Sequence, residues 1–459
     1  MTSPRGARRA AAPARRAIVT LLAVVGLLGV IACQRAASPP DRASTVTQAA
    51  TQREAPPIGH GGQLAVEEAA QAPAYGPTDG PTQGAGAPSP ERTPAPAQSV
   101  TVVLTGDTLV HPPLWRTAER DASATKRAGE LDFRPMLAAM RPLIDGADAA
   151  VCHLETPVAE PGGPYRGYPA FSVPPQILDA LAWVGYDGCT TASNHSLDAG
   201  FAGLIHTIDA MAAAGLGHTG TWATAADAGS PLMIEARGVR IAVITGTYDT
   251  NGIPLPRNAP WSVALLDPAR LIASAKAARA DGADLVLAGL HWGAEYASTP
   301  TAAQRRIART LADSGQIDLI YGHHAHVVQP FDRIGDTWVL YGLGNAVAHH
   351  ATRAPGVDDG VAARVTFTRA RSAPAAPEPG GSKQRRWSTE RVEYVPTTVL
   401  RSTGERPARI VPLEVAAADR GVSAAERARL ERARDAVSGT VRSLRAPGIE
   451  RAQASVPTR

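Results

Sequence analysis

Seven polar residues, recurring along the middle of the chain, have the chemistry of a metal site: Asp107, Glu155, Asn194 with His195, His291, His324 and His326. Carboxylate, amide oxygen and imidazole together suit hard-to-borderline divalent ions such as Mn²⁺, Zn²⁺ or Fe²⁺. A bridging carboxylate can hold two ions ~3.5–4 Å apart, and such a pair activates water for in-line attack on phosphorus. His324 and His326 stand two residues apart, so one loop can serve two neighbouring ions. Alone, each cluster has an ordinary reading: Gly106-Asp107 as a turn, Asn194-His195 as a satisfied polar loop, His323-His324-Ala325-His326 as a histidine-rich loop. Their joint occurrence, in order and at the ends of successive strand-like runs, favours the metal site.

The elements that must position these residues alternate strand and helix. Val102-Val103-Leu104 runs into Gly106-Asp107, Ala149–Cys152 into His153-Leu154-Glu155, and a further strand into Ser193-Asn194-His195. Strands at 240–245, 284–290, 317–321 and 337–341 follow, the last expected to be the final core strand. Helices are expected at 174–184, 199–214, 268–280 and 302–313 from their apolar spacing and flanking Pro or Gly. This alternation predicts an α/β sandwich with much parallel sheet, whose ligand crevice lies at the carboxyl ends of the strands.

The ordered motifs resemble the CapA-type poly-γ-glutamate capsule synthesis proteins over Val100 to Phe367. They are Gly106-Asp107, Leu154-Glu155, Ser193-Asn194-His195 with Asp198 and Gly200, His291-Trp292-Gly293 with Glu295-Tyr296, Gly322 to Pro330, and Gly342-Leu343-Gly344-Asn345. That family is related to calcineurin-like metallophosphoesterases, so the resemblance implies a metallophosphoesterase-like βα sandwich and a dinuclear site. It implies that Asp107 and His326 bind the first ion, Glu155 bridges, and Asn194, His291 and His324 bind the second. It further implies that His195 protonates a leaving group or steadies the transition state. Asp198 would orient His195, and Glu295 is a further candidate acid/base. The chain departs from the superfamily pattern at Leu109, where a histidine is usual, at His153, where an asparagine is usual, and at Ser193. A single-metal site, or one using His111 or His153, is the alternative.

Outside this region the chain changes character. Arg5, Arg8, Arg9, Arg15 and Arg16 precede an apolar run from Ala17 to Ala32 and then Cys33. The run spans about 24 Å as a helix, short for a ~30 Å hydrocarbon core and suited to a signal peptide. Val30-Ile31-Ala32-Cys33 resembles a bacterial lipobox, which implies lipidation of Cys33 and anchoring on the extracytoplasmic face of the cell membrane. A plain secretory signal or an uncleaved anchor is the alternative. Residues 34–98 are a Pro/Ala/Gly-rich tether, 99–371 the α/β domain and 372–386 a loop. Residues 387–459 form closing strands (391–395 and 410–415), a charged helix from Ser423 to Leu444 with Ser423 and Glu426 as a capping box, and a tail.

Cys152 and Cys189 sit in apolar runs, where two buried free thiols are the leading expectation, ahead of a disulfide between neighbouring strands or metal ligation. The formal charge of +4 over 459 residues, without a basic stripe bearing aromatics, argues against a nucleic-acid groove. Together these features predict a metal-dependent hydrolase of the cell envelope, acting on a phosphoester or an anionic polymer. Its implied context is capsule synthesis, export or retention beside membrane export proteins. The rival is a non-catalytic polymer-binding or assembly component.

Overall fold

Strand-forming apolar runs separated by helices build two sheets that pack face to face. The computed structural model describes residues 98–124, 130–369, 387–404 and 406–454. The expected signal peptide with Cys33, residues 34–97 of the tether and the 372–386 loop lie outside the described residues. Among the described residues no helix is long and apolar enough to cross a membrane.

The first sheet begins with β1 (Ser99–Thr108), β2 (Ala149–Leu154), β3 (Gly188–Thr190) and β4 (Gly217–Thr219), side by side and parallel. The chain then forms the second sheet from β5 (Leu232–Ala236), β6 (Val239–Thr247), β7 (Leu285–His291), β8 (Leu319–His323), β9 (Phe331–Ile334) and β10 (Thr337–Leu340). Its four central strands, β6, β7, β8 and β10, are parallel. The chain returns to the first sheet through β11 (Asn345–Val347), β12 (Asp359–Arg369), β13 (Trp387–Leu400), β14 (Arg409–Pro412) and β15 (Ile449–Arg451).

Side chains alternate across each strand, and here both faces are covered, which is why the strand sequences read as unbroken apolar runs. Val102 and Leu104 point between the sheets with Ile241, Leu287, Leu319 and Phe367. Val103 points outward to a helical layer with Leu114, Ile177 and Leu181. On the far side of the second sheet, Ile244, Val286 and Leu290 meet Leu271, Ala275, Ala308 and Leu311 from two helices. Full burial of each large aliphatic side chain contributes about 1.5–3 kcal/mol. Those two helices, Pro268–Ala280 and Ala302–Asp313, have the bounds their spacing predicts. Asp267 caps the first by accepting from the Ala269 and Arg270 amides, and Thr301 with Gln304 forms a capping box on the second. Such caps contribute about 1 kcal/mol each.

Several expectations need correction. Strand β10 is not the last core strand: β12 follows it, pairs with β1 and β13, and is buried for most of its length. The 410–415 segment is a strand only to Pro412 and then turns into the helix Leu413–Ala418, whose Leu413 and Ala416 face inward. The terminal helix is Ala424–Val441. Ser423 caps it through the Glu426 amide, but the Glu426 side chain pairs with Arg429, so the reciprocal half of the capping box is missing.

Cys152 and Cys189 are joined by a disulfide, not left as two core thiols. The reason is register. Strands β2 and β3 are parallel neighbours, and Cys152 pairs directly with Cys189, with Cα atoms 4.4 Å apart. Both residues lie in the outer apolar layer as expected; which strand pairs with which, and in what register, is not written in either run.

Candidate metal centre

Parallel strands present their carboxyl ends on one edge, and the polar motifs collect there. Asp107 is the penultimate residue of β1, Glu155 follows β2, His291 ends β7 and His323 ends β8. The end of β1 is crowded by the Gly342–Asn345 turn: the Asp107 amide donates to the Gly344 carbonyl at 3.0 Å. A β-carbon on Gly106 would stand 2.0 Å from that same oxygen, so only glycine fits. Gly106-Asp107 is therefore not a turn but a strand end that lets a second backbone pass close by. In the loop after β8, His324 (φ 82°) and His326 (φ 55°) both adopt left-handed backbone. For a residue with a β-carbon that costs about 1–3 kcal/mol, a strain that concentrates at functional sites.

The side chains form one buried network. Asp107 Oδ1 lies 3.0 Å from His323 Nδ1, while Oδ2 accepts from the His324 amide at 3.1 Å and lies 3.2 Å from His326 Nδ1. His326 Nε2 and His291 Nε2 stand 3.7 and 3.9 Å from Glu155 Oε1. His291 Nε2 is also 2.7 Å from Asn194 Oδ1. Neither carboxylate oxygen of Glu155 has a hydrogen-bond partner although the residue is buried, and His324 Nδ1 and His323 Nε2 are buried and unpartnered as well. A buried carboxylate that accepts no hydrogen bond is costly. Oxygen and imidazole donors left open and converging are what a divalent cation requires, so the residues present fit such an ion. Ligand atoms of Asp107, Glu155 and His326 come within one coordination sphere's reach of one another; so do those of Asp107, His153 and His291, and those of Glu295, His324 and His326.

Charge states follow from the same geometry. Burial pushes the Asp107 carboxyl up, but hydrogen bonds from His323 and His326 outweigh it and hold the group well below the usual range. Burial pushes Glu155 up to about 7, opposed by His326. His326 is pulled down by burial yet raised to about 9 by Glu155 and Asp107. His324, lowered to about 4 by burial and by His326, is a neutral imidazole at neutral pH. Burial likewise lowers His291 and His153 well below their usual range.

Beside this network, His195 Nδ1 lies 2.7 Å from Asp198 Oδ2, which also accepts the Phe171 amide at 2.7 Å. Burial pulls the His195 pKa down, but Asp198 and the Glu155 charge raise it above its ordinary value. Phe171 sets its ring edge-on to His195, with centroids 4.9 Å apart. The half-exposed Tyr248 lies over His324 at 4.5 Å.

The structure thus brings together Asp107, Glu155, Asn194, His195, Asp198, His291, His324 and His326, with Glu295 exposed at the edge. Other residues join the site: His153 and His111 were legible in the sequence as alternative ligands, whereas His323, Asn345, His350 and Asn251 carried no assigned role there. His323 holds Asp107 and stacks on His153 at 4.1 Å; the run of three histidines was its signal. His153 bridges Thr190 Oγ1 (2.8 Å) and His291 Nδ1 (3.0 Å). Asn345 lies 3.1 Å from His326 Nδ1 and donates to the His326 carbonyl. His350 packs its ring 4.5 Å from His326, and His111 stands behind it at 4.7 Å from His350. Asn251, which accepts from Asn194 at 3.1 Å, lies in a loop with no motif.

Comparison with known proteins places this geometry in context. The chain is 32% identical over 176 residues to the capsule biosynthesis protein CapA of Bacillus anthracis. It is 34% identical over 174 residues to the PGA biosynthesis protein CapA of Bacillus subtilis. These stretches cover 38% of this chain and 42% and 45% of those proteins, so the chain matches less than half of each relative's length. A probable polyglutamine synthesis accessory protein of Mycobacterium tuberculosis is 27% identical over 282 residues, covering 54% of this chain and 74% of that one. Among solved structures, a calcineurin-like phosphoesterase from Bacillus subtilis aligns over 76% of this chain and all of its own, at 13% identity and a TM-score of 0.40. The Bacterial capsule synthesis protein PGA_cap family model matches residues 101–350, more than half of the chain and all of the strand ends described above, and the chain belongs to that family.

Proposed function

We propose that the protein is a metal-dependent hydrolase of the phosphoesterase type, exported and lipid-anchored through Cys33. In this reading it acts on an anionic polymer such as poly-γ-glutamate, or on a phosphoester, during capsule synthesis, export or retention. The observation that carries the enzymatic part is the Glu155 carboxylate, buried with both oxygens unpartnered and ringed by His291, His326 and Asp107. Asp107, Glu155, Asn194, His291, His324 and His326 would hold one or two divalent ions, of Mn, Zn or Fe type, with His153 and His323 supporting them from behind. Bound there, such ions supply Lewis acidity and neutralise charge on an anionic substrate.

The protein's own groups do the rest. His195, oriented by Asp198 and raised above its ordinary pKa by the Asp198 and Glu155 carboxylates, is placed to deliver a proton to the leaving oxygen. Tyr248 and Phe171 form walls that orient substrate and exclude water from one side. Export is supported by the Cys152–Cys189 disulfide, since such bonds persist in oxidising compartments. Capsule export membrane proteins are the expected partners. Purified protein should bind divalent metal and turn over an aryl phosphate ester. Metal bound without any turnover would leave the site to a polymer-binding or assembly role.

A further inference from the structure

A large cavity lies apart from the metal-site residues. It measures about 1050 Å³ and lies among β13, β14, the helix Leu413–Ala418 and the helix Ala424–Val441, closed on one side by the loop carrying Arg353 and Asp358. Every described residue lining it follows position 350, so the cavity lies outside the family match at residues 101–350. Six arginines line it: Arg353, Arg401, Arg406, Arg409, Arg420 and Arg429. Three are tied up, Arg401 on Asp358, Arg409 on Asp121 and Arg429 on Glu426. Arg353, Arg406 and Arg420 are exposed, and among the described residues no carboxylate pairs with them. Among the described residues the other acid on the wall is Asp419, which accepts from the Gly421 amide. Between the arginines lies an apolar floor that includes Val399, Val411 and Ala416.

We infer that this groove binds an extended polycarboxylate, the polymer itself, and holds it beside the metal site; the inference rests on the reading that the protein handles an anionic polymer. Three exposed guanidinium groups, with no carboxylate partner among the described residues, over an apolar floor match a chain that alternates carboxylates with methylene segments, as a γ-linked polyglutamate does. Guanidinium pairs with carboxylate in a planar two-point contact that a neutral polymer cannot offer. The volume lies at the upper end for small-ligand pockets and suits several residues of a chain. The groove also adjoins the metal site. Arg401 donates to the His350 carbonyl at 2.6 Å, and the His350 ring lies against His326.

The test is anisotropy titration of a fluorescent poly-γ-glutamate oligomer of about twenty residues with the full chain. The triple variant Arg353→Gln, Arg406→Gln, Arg420→Gln should bind about tenfold more weakly or worse, from three exposed charge pairs lost together. The corresponding triple lysine variant should keep most of the affinity, which separates lost charge from lost fold. In a His291→Ala, His324→Ala background, where the metal site's own share of the binding is removed, the glutamine substitutions should still weaken oligomer binding about tenfold. Unchanged binding by the glutamine variant overturns the proposal. If the histidine variant alone loses binding, the polymer is held at the metal site and the groove plays no part, while the proposed function stands. Equal affinity for polyphosphate of the same length, lost equally in the glutamine variant, would overturn the assignment to a polycarboxylate.

Discussion

Reducing the Cys152–Cys189 disulfide should destabilise the domain by an amount set mainly by the chain it closes. The two cysteines are 37 residues apart in sequence. In the chain-entropy treatment, closing such a loop removes about 13 cal/mol/K from the unfolded ensemble, or about 4 kcal/mol at 25 °C. Guanidinium titration of oxidised and pre-reduced protein should show that difference in unfolding free energy. Intact-mass analysis of unreduced, denatured protein should show two protons fewer and no alkylation of Cys152 or Cys189. The effect should reach the site, because the residues that follow the two cysteines are His153 and Thr190, whose side chains hydrogen-bond at 2.8 Å and stand behind His291. Reduced protein should therefore also bind metal more weakly. Two alkylatable cysteines in unreduced, denatured protein, or a stability loss below about 1 kcal/mol, would refute this reasoning.

Three further outcomes follow from the site and its frame. Asp198→Asn should lower the His195 pKa, so that hydrolysis, which needs the protonated ring, declines at a lower pH than in the wild type; a pH–rate profile reads this. In the metal-free protein Glu155 titrates near 7 and His326 near 9, both holding protons that a cation must displace. Metal affinity should thus rise from pH 6 towards pH 9, and calorimetry near pH 7 in buffers of different ionisation enthalpy should detect proton release. Gly106→Ala drives a methyl group into the Gly344 carbonyl and should cost about 2–4 kcal/mol of stability by denaturant titration.

Much of this fold was legible because the strands covered on both faces read as apolar runs and the helices carry local stop and start signals. The helices 268–280 and 302–313 keep the bounds their apolar spacing predicts, and the structure adds the Asp267 cap and the Thr301–Gln304 capping box that start them. Strand β12 was missed because its outward positions, Arg364 and Thr366, break the apolar run. The metal ligands could be picked out because each sits at a strand end with a recurring local pattern. Their supporting shell was harder to see. His350 and Asn251 come from loops whose approach to the site depends on long-range sheet order, which no local window contains. The disulfide was misjudged for the same reason.

The most direct test is elemental analysis of wild-type protein beside His291→Ala, His324→Ala and His195→Ala, with His206→Ala, a half-buried histidine of the Gly200–Ala213 helix that faces Glu160, as control. Wild type, His195→Ala and His206→Ala should carry metal, whereas His291→Ala and His324→Ala should carry much less while keeping the wild-type circular dichroism. Hydrolysis by His195→Ala should fall by a factor of about a hundred despite its full metal content. Equal metal in wild type and His291→Ala, or none in either after metal-replete purification, would contradict a metal centre at these strand ends.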